Sequence, residues 1–223
     1  EKDFFIPEAT LDFESIIGSH DIDIRPLKIV SDDLEIDMRL LFDLEGEDGP
    51  FLDLNFTSPF MGTKTFKTYF PSQLLPNWLE YRLFPMIAGG EIKINSFSLT
   101  GGVDRIRHMK SPENRSLMEM RYECRNVEVS GGGLGAPFID VSADMAFKDG
   151  IFSLSGLNAR FGGSLIKDSG MNIKDAFSPS RSYVFDVKGD FEIADLFNQR
   201  NMDVVPASLS SRIEQWHDIQ GRI

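Results

Sequence analysis

The sequence has little of what catalysis or metal binding usually requires. It contains one cysteine, Cys124, and three histidines among 223 residues. A single cysteine excludes an internal disulfide, and the alternating run around Cys124 favours a small buried residue. The histidines, at positions His20, His108 and His217, lie beside no acid pattern that indicates a metal site or a catalytic triad.

Motifs for nucleophilic catalysis and phosphate binding are also missing. No Gly-x-Ser-x-Gly elbow occurs, and the glycine-rich run at residues 131–135 lacks the Lys-Ser/Thr pair of a phosphate loop. No two acids can be singled out as an acid–base couple. The sequence therefore predicts a protein that is not an enzyme, with no catalytic residue, no metal and no cofactor.

Basic surface charge is scarce as well. The net charge is -12, and residues 1–60 hold roughly 16 acids against 4 bases, whereas the rest of the chain is balanced. A nucleic-acid-binding protein carries a basic stripe, so this class is excluded. We expect the acids to lie on the solvent face of the first strands. No apolar run approaches the ~20 residues that a membrane-spanning helix needs.

What the sequence does contain is a repeated two-residue alternation of apolar and polar side chains in short runs that end near glycine. Clear examples are residues 92–94, 118–122, 139–145 and 183–187. This period predicts strands with one wet face and one apolar face. The chain also has 19 phenylalanines, which suit a large dry surface. We predict a mostly-β fold: an elongated, curved antiparallel sheet, an open trough or half-barrel, with one or two short helices.

Local signals refine this prediction. Asp149-Gly150 between two apolar runs predicts a tight hairpin. The alternation changes phase between Ile94 and Phe97 and again between Cys124 and Val127, and each change predicts a β-bulge.

The alternation is interrupted by a stretch with helical spacing, which suggests an organisation in four parts. Leucines and Trp78 recur at helical spacing after Pro71-Ser72, and a similar Pro, Ser and Trp pattern returns after Pro206. The predicted parts are acidic N-terminal strand layers over 1–70, a helix-bearing connection over 71–90, repeated strand layers over 91–205, and a helix with the start of a truncated repeat over 206–223.

Several motifs resemble the AsmA-like superfamily, in particular its YhdP branch and more distantly TamB. They are Tyr-Phe-Pro at 69–71, Leu-Pro-Asn-Trp-Leu at 75–79, Gly-Gly-Glu-Ile at 89–92 and Phe-Ser-Leu-Thr-Gly at 97–101, followed by matching stretches at 127–129, 136–138, 147–154, 159–164 and 185–191. The resemblance spans roughly residues 50–223.

The resemblance implies a periplasmic protein that shields phospholipid acyl chains in an apolar groove between the inner and outer membranes. It also implies that the chain is a piece of a longer protein, tethered to the inner membrane by a segment outside this sequence. The outer-membrane or envelope partner is not indicated, and lipid species and direction are open.

Fifteen residues are the predicted lining of this lipid groove: Ile92, Ile94, Phe97, Leu99, Met118, Met120, Val127, Val129, Val141, Met145, Phe152, Leu154, Phe185, Val187 and Phe191. Alternation alone does not separate a groove from a closed core, because both need one apolar face. The alternative is therefore a closed β module, structural or interacting, in which the same residues pack against a second layer or against the Trp78 helix and bind no lipid.

Overall fold

The computed structural model describes residues 8–31, 33–46, 49–131, 136–192 and 195, most of them in strands. Twelve strands form one antiparallel sheet. Their bounds are β1 Thr10–Ile17, β2 Asp21–Val30, β3 Glu35–Asp43, β4 Phe51–Thr57, β5 Phe60–Gly62, β6 Ile87–Gly102, β7 Met118–Val129, β8 Phe138–Lys148, β9 Ile151–Phe161, β10 Ser164–Lys174, β11 Ser182–Asp186 and β12 Gly189–Asp190.

Each long strand pairs with its neighbour in sequence, so the sheet is a meander of ten strands. The order is β1-β2-β3-β4-β6-β7-β8-β9-β10-β11, with β5 beside β6 and β12 beside β10. The sheet is open and not closed into a barrel, and helices are few and short, which confirms the predicted fold class. Strands on both sides of the predicted helical connection belong to this one sheet. The predicted helix and strand over 206–223 lie outside the described residues.

Tight turns connect the strands where the sequence has the required residues. Lys148 pairs with Ile151, and the two residues between them have positive φ, 51° for Asp149 and 76° for Gly150. Two positive φ values define the type I′ turn, whose twist matches that of the flanking strands. The predicted Asp-Gly hairpin is confirmed.

Bulges keep the apolar residues of the long strands on one face. In β6, Ile94 lies opposite Tyr122 and Phe97 opposite Met120, so three residues advance against two. The extra residue in β6 compensates for the change of phase in the sequence, so Ile94 and Phe97 lie on the same face of the sheet. A second bulge separates Cys124 and Val127 in β7, so both predicted bulges are confirmed.

A third bulge lies in β2, where it was not predicted. Ile24 lies opposite Leu40 and Leu27 opposite Met38, with Arg25-Pro26 as the bulged pair. Proline has no backbone N–H for the ladder, and a bulge is one of the few places in a sheet that tolerates it.

Helical turns between β5 and β6 pack over the sheet, and we call residues 63–86 the helical cover. It consists of α1 Thr63–Tyr69, a 3-10 turn Ser72–Leu74, a π-helical turn Leu79–Leu83 and α2 Phe84–Met86. The first helix, α1, lies ahead of the predicted helix-bearing connection over 71–90, and Pro85 lies inside the last turn, α2. A second group, α3 Val103–Arg107 and a 3-10 turn Pro112–Leu117, connects β6 to β7.

Aromatic packing and a few hydrogen bonds fix the helical cover to the sheet. The rings of Phe66 and Phe70 each make a T-shaped contact with the ring of Tyr122, with ring centroids 5.9 Å apart. Trp78 packs against Phe152, and its Nε1 donates to the carbonyl of Ala176 at 2.9 Å. The main hydrophobic core therefore lies between the helical cover and the middle strands.

Candidate functional site

One face of the sheet carries a row of large side chains, mostly apolar, that crosses all ten strands of the meander. Directly opposed residues of an antiparallel sheet point to the same face, so the row can be followed through the strand register. From β1 to β11 its members are Phe13, Leu27, Met38, Phe56, Phe97, Met120, Phe147, Phe152, Ile173 and Tyr183. We call this side of the sheet the apolar face.

Burial changes along this row from one end to the other. Phe13 is 51% exposed, Phe97 is 2% exposed and Tyr183 is 38% exposed. The centre is dry because the helical cover lies on it, whereas the two ends of the row reach solvent. The apolar face is thus continuous in chemistry but is covered only in its middle.

The larger part that is not fully buried lies on β1 to β4, and we call it the open half. A second row there runs from Ile24 through Leu40 and Leu54 to Leu99. The apolar-face residues of these four strands are Leu11, Phe13, Ile17, Ile22, Ile24, Leu27, Ile29, Ile36, Met38, Leu40, Phe42, Leu52, Leu54 and Phe56. All of them are exposed or partly exposed, up to 74% for Ile17.

The area of the open half is comparable to that of apolar patches that bind ligands or partners. Four strands about 4.8 Å apart and about seven residues long span on the order of 400 Å². The largest apolar patch on a monomer is about 300–600 Å² and is often functional. Among β1 to β3, only Ile36 on this face packs against the main core within the described residues.

The structure divides the predicted lining residues into three groups. Nine are buried under the helical cover or beside it: Ile92, Ile94, Phe97, Leu99, Met118, Met120, Val127, Val141 and Phe152. Three more, Val129, Met145 and Leu154, are partly buried against the same core. Phe185 and Val187 are exposed by 55% and 56% near the far edge, and Phe191 is partly buried.

None of the predicted lining residues lies in the open half, although the sequence there carries the same signal. Ile22 and Ile24 in β2, and Leu52, Leu54 and Phe56 in β4, alternate as clearly as the residues that were selected. Alternation identifies an apolar face on each strand, but it carries no information about which strands a helix covers.

The opposite, polar face carries the charges. Most acids of β1 to β4, such as Asp12 and Asp37, lie there, as predicted for the acidic excess. Cross-strand pairs include Lys28 with Glu35 and Lys148 with Glu119, each at 2.7 Å. A hydrogen bond to Glu35 and the negative charge of Glu35 raise the pKa of Lys28. A hydrogen bond to Glu119 and the negative charge of Glu119 likewise raise the pKa of Lys148. Polar and apolar chemistry are therefore separated across the thickness of one sheet.

Groups that could carry other chemistry are sparse in the described part of the chain. Within it, no cluster of three or more His, Cys, Asp and Glu side chains is arranged to hold a metal ion. Burial raises the pKa of the Cys124 thiol, which keeps it protonated and unreactive. His20 Nδ1 lies 3.1 Å from Glu45 Oε1, and His108 Nδ1 lies 2.8 Å from the Asp104 carbonyl oxygen.

Comparisons with known proteins do not assign the chain to a family. The chain matches no family model, no curated protein and no solved structure. None of its described helices is both long and apolar enough to cross a bilayer. The site must therefore be interpreted from its own geometry.

Proposed function

We propose that the open half binds the acyl chains of phospholipids, and that the protein is a segment of a periplasmic bridge that carries lipids between the inner and outer membranes. One observation supports this most: an apolar face that crosses ten strands and stays at least partly exposed on the first four of them. Each methylene that leaves water for such a surface gains about 0.8 kcal/mol. Headgroups would remain in water at the rim of the sheet.

The covered middle limits how lipid could move. Phe97, Met118 and Met120 are at most 2% exposed, so the space between sheet and helical cover is already filled. Protein interiors are packed as densely as organic crystals and leave no room for an acyl chain. In this proposal, lipid is held against β1 to β4, and passage across the middle strands would require the helical cover to move.

The experiment compares two neighbouring leucines on opposite faces. Leu40 lies on the apolar face opposite Leu54, and Leu41 lies on the polar face opposite Asp53; both are partly buried on the same strand. Leu40→Asn should weaken lipid binding about tenfold, because a buried leucine contributes about 1.5–3 kcal/mol. Leu41→Asn is the matched control and should bind like the unchanged protein.

Native mass spectrometry of the full chain, purified from a double-membrane bacterium and then incubated with phosphatidylethanolamine vesicles, measures the bound lipid. Near-UV circular dichroism checks that both variants remain folded. A folded, lipid-free protein contradicts the proposal, and so does an equal loss in both variants.

A second function is favoured by the covered middle: a structural or interaction module that binds no lipid. Nine predicted lining residues form an ordinary core there, as the closed-module alternative requires. A lipid-free protein in the experiment above would favour this second function.

A further inference from the structure

The first strand of the sheet, β1, has a free edge. It pairs with β2 on one side and with no other strand of the described chain. All eight of its residues, Thr10–Ile17, are exposed. Alternate residues of such a strand point their N–H and C=O groups away from the sheet, ready for another strand.

This edge lacks most of the features that usually prevent strand addition, and its only charges are the two acids Asp12 and Glu14. Thr10–Ile17 contains no proline, lysine or glycine, and the nearby bulge lies in β2 rather than in β1. The opposite edge, β11, is only five residues long and is followed by Lys188, whose Nζ lies 3.2 Å from Asp186. Short strands and lysines protect an edge, so β1 is the more receptive of the two.

The two faces of β1 specify different partner chemistry. Leu11 and Phe13, 56% and 51% exposed, extend the apolar face to the edge. Asp12 lies on the polar face opposite Lys28, but Lys28 Nζ binds Glu35 Oε1 at 2.7 Å. Among the described residues, neither Asp12 nor Glu14 has an ion-pair partner. The edge therefore offers apolar contacts on one side and, on the other, two carboxylates that form no close ion pair among the described residues.

A second copy of the chain fits this edge poorly. Of the registers in which two antiparallel β1 strands keep their faces aligned, the two with the longest overlap bring Asp12 against Glu14 of the other copy, or Glu14 against Glu14. Like charges directly opposite each other destabilise a strand pair. A partner with Lys or Arg at these positions would instead gain from the same geometry.

We propose that β1 adds an extended partner segment in which apolar residues alternate with lysine or arginine. The apolar residues would continue the row of Leu11 and Phe13, and the basic residues would lie beside Asp12 and Glu14. This is β-strand addition, in which backbone hydrogen bonds give affinity and alternate side chains give specificity. It does not require that the open half bind lipid, because the backbone pairing at the edge and the charges of Asp12 and Glu14 lie outside the apolar face.

The test uses a fluorescent peptide of alternating valine and lysine, and a matched peptide with glutamate in place of lysine. Anisotropy with the full chain should show the lysine peptide binding, with the glutamate peptide about five- to tenfold weaker. Binding of the lysine peptide should weaken as salt rises, because exposed charges are screened. Equal binding of both peptides overturns the proposal.

A charge exchange on the protein gives the complementary test. The double variant Asp12→Lys, Glu14→Lys should reverse the preference and bind the glutamate peptide better. Methylation of the peptide backbone nitrogens at alternate positions, in each of the two possible phases, should abolish binding in one phase only. Loss in neither phase means that charge alone attracts the peptide, and the proposal fails.

Hydrogen exchange locates the contact. Amides of β1 should gain protection when the lysine peptide binds, whereas those of β11 should not. If the β1 amides that point away from β2 are already protected in the free protein, the edge is occupied by another part of the chain or by a second copy, and the proposal is wrong.

Discussion

Replacement of Phe97 by alanine tests whether the middle of the apolar face is a packed core. Phe97 is 2% exposed, stacks on Phe56 with ring centroids 4.4 Å apart and lies opposite Met120. Loss of a buried phenylalanine leaves a cavity and lowers the free energy of unfolding by about 3–5 kcal/mol. This is a large part of the roughly 5–15 kcal/mol that stabilises a typical domain.

The matched control is Phe13→Ala, in the same row at the uncovered end. Its side chain is 51% exposed, so much of its apolar area never leaves water. We expect a loss of roughly 1 kcal/mol or less. The same residue change in the same row thus separates the covered middle from the open half.

Urea unfolding, followed by far-UV circular dichroism, measures both values. The slope of the unfolding free energy against urea concentration should be the same in all variants, so that differences in midpoint report differences in stability. If Phe97→Ala unfolds the protein, Phe97→Leu keeps most of the volume and should cost less than about 1.5 kcal/mol. A Phe97→Ala cost as small as that of Phe13→Ala would show that the middle is not a packed core, and would refute the division into a covered and an open part.

Two further predictions concern local chemistry. Gly150→Ala should lower the free energy of unfolding by about 1–2 kcal/mol, because φ is +76° there and the new Cβ would lie 2.7 Å from Arg115 Cδ. Gly62→Ala is the control: φ is -61° and the new Cβ meets open space, so the free energy of unfolding should change by no more than about 1 kcal/mol in either direction. Equal urea midpoints for the two variants would contradict this. Burial raises the pKa of Tyr122 well above its usual value, so the folded protein favours the neutral phenol. The corresponding contribution to the free energy of unfolding is present below about pH 10, and it is lost as the pH rises further. Absorbance at alkaline pH should show Tyr122 ionising only as the protein unfolds, and its ionisation in the native state would refute the burial argument.

Much of the sheet could be predicted because its signals are local. Alternation marks the strands, Asp149-Gly150 marks a turn, and the phase changes after Ile94 and Cys124 mark bulges. These signals depend only on neighbours in sequence. For this reason the class of fold and two bulges were correct without any knowledge of tertiary packing.

The helical cover and its consequence for the site could not be predicted in the same way. Helix α1 has the sequence Thr-Lys-Thr-Phe-Lys-Thr-Tyr, whose threonines have low helix propensity. It is stabilised by tertiary contacts: Phe66 packs on Tyr122, and Lys67 Nζ donates to the Ile87 carbonyl at 2.8 Å. Such contacts join distant parts of the chain. They determine which strands are covered, and therefore which apolar residues remain available.

Bulges also determine where the strands tolerate a change in length. In β6 the bulge lies between Ile94 and Phe97, which are three residues apart yet share a face. Deletion of Asn95 would leave them two residues apart, and a regular strand would keep both on that face while losing its bend. A deletion elsewhere in the strand would turn one part of it over and expose its apolar residues on the polar side. The bulges are therefore the positions at which a one-residue deletion can be accepted during evolution without inverting a strand.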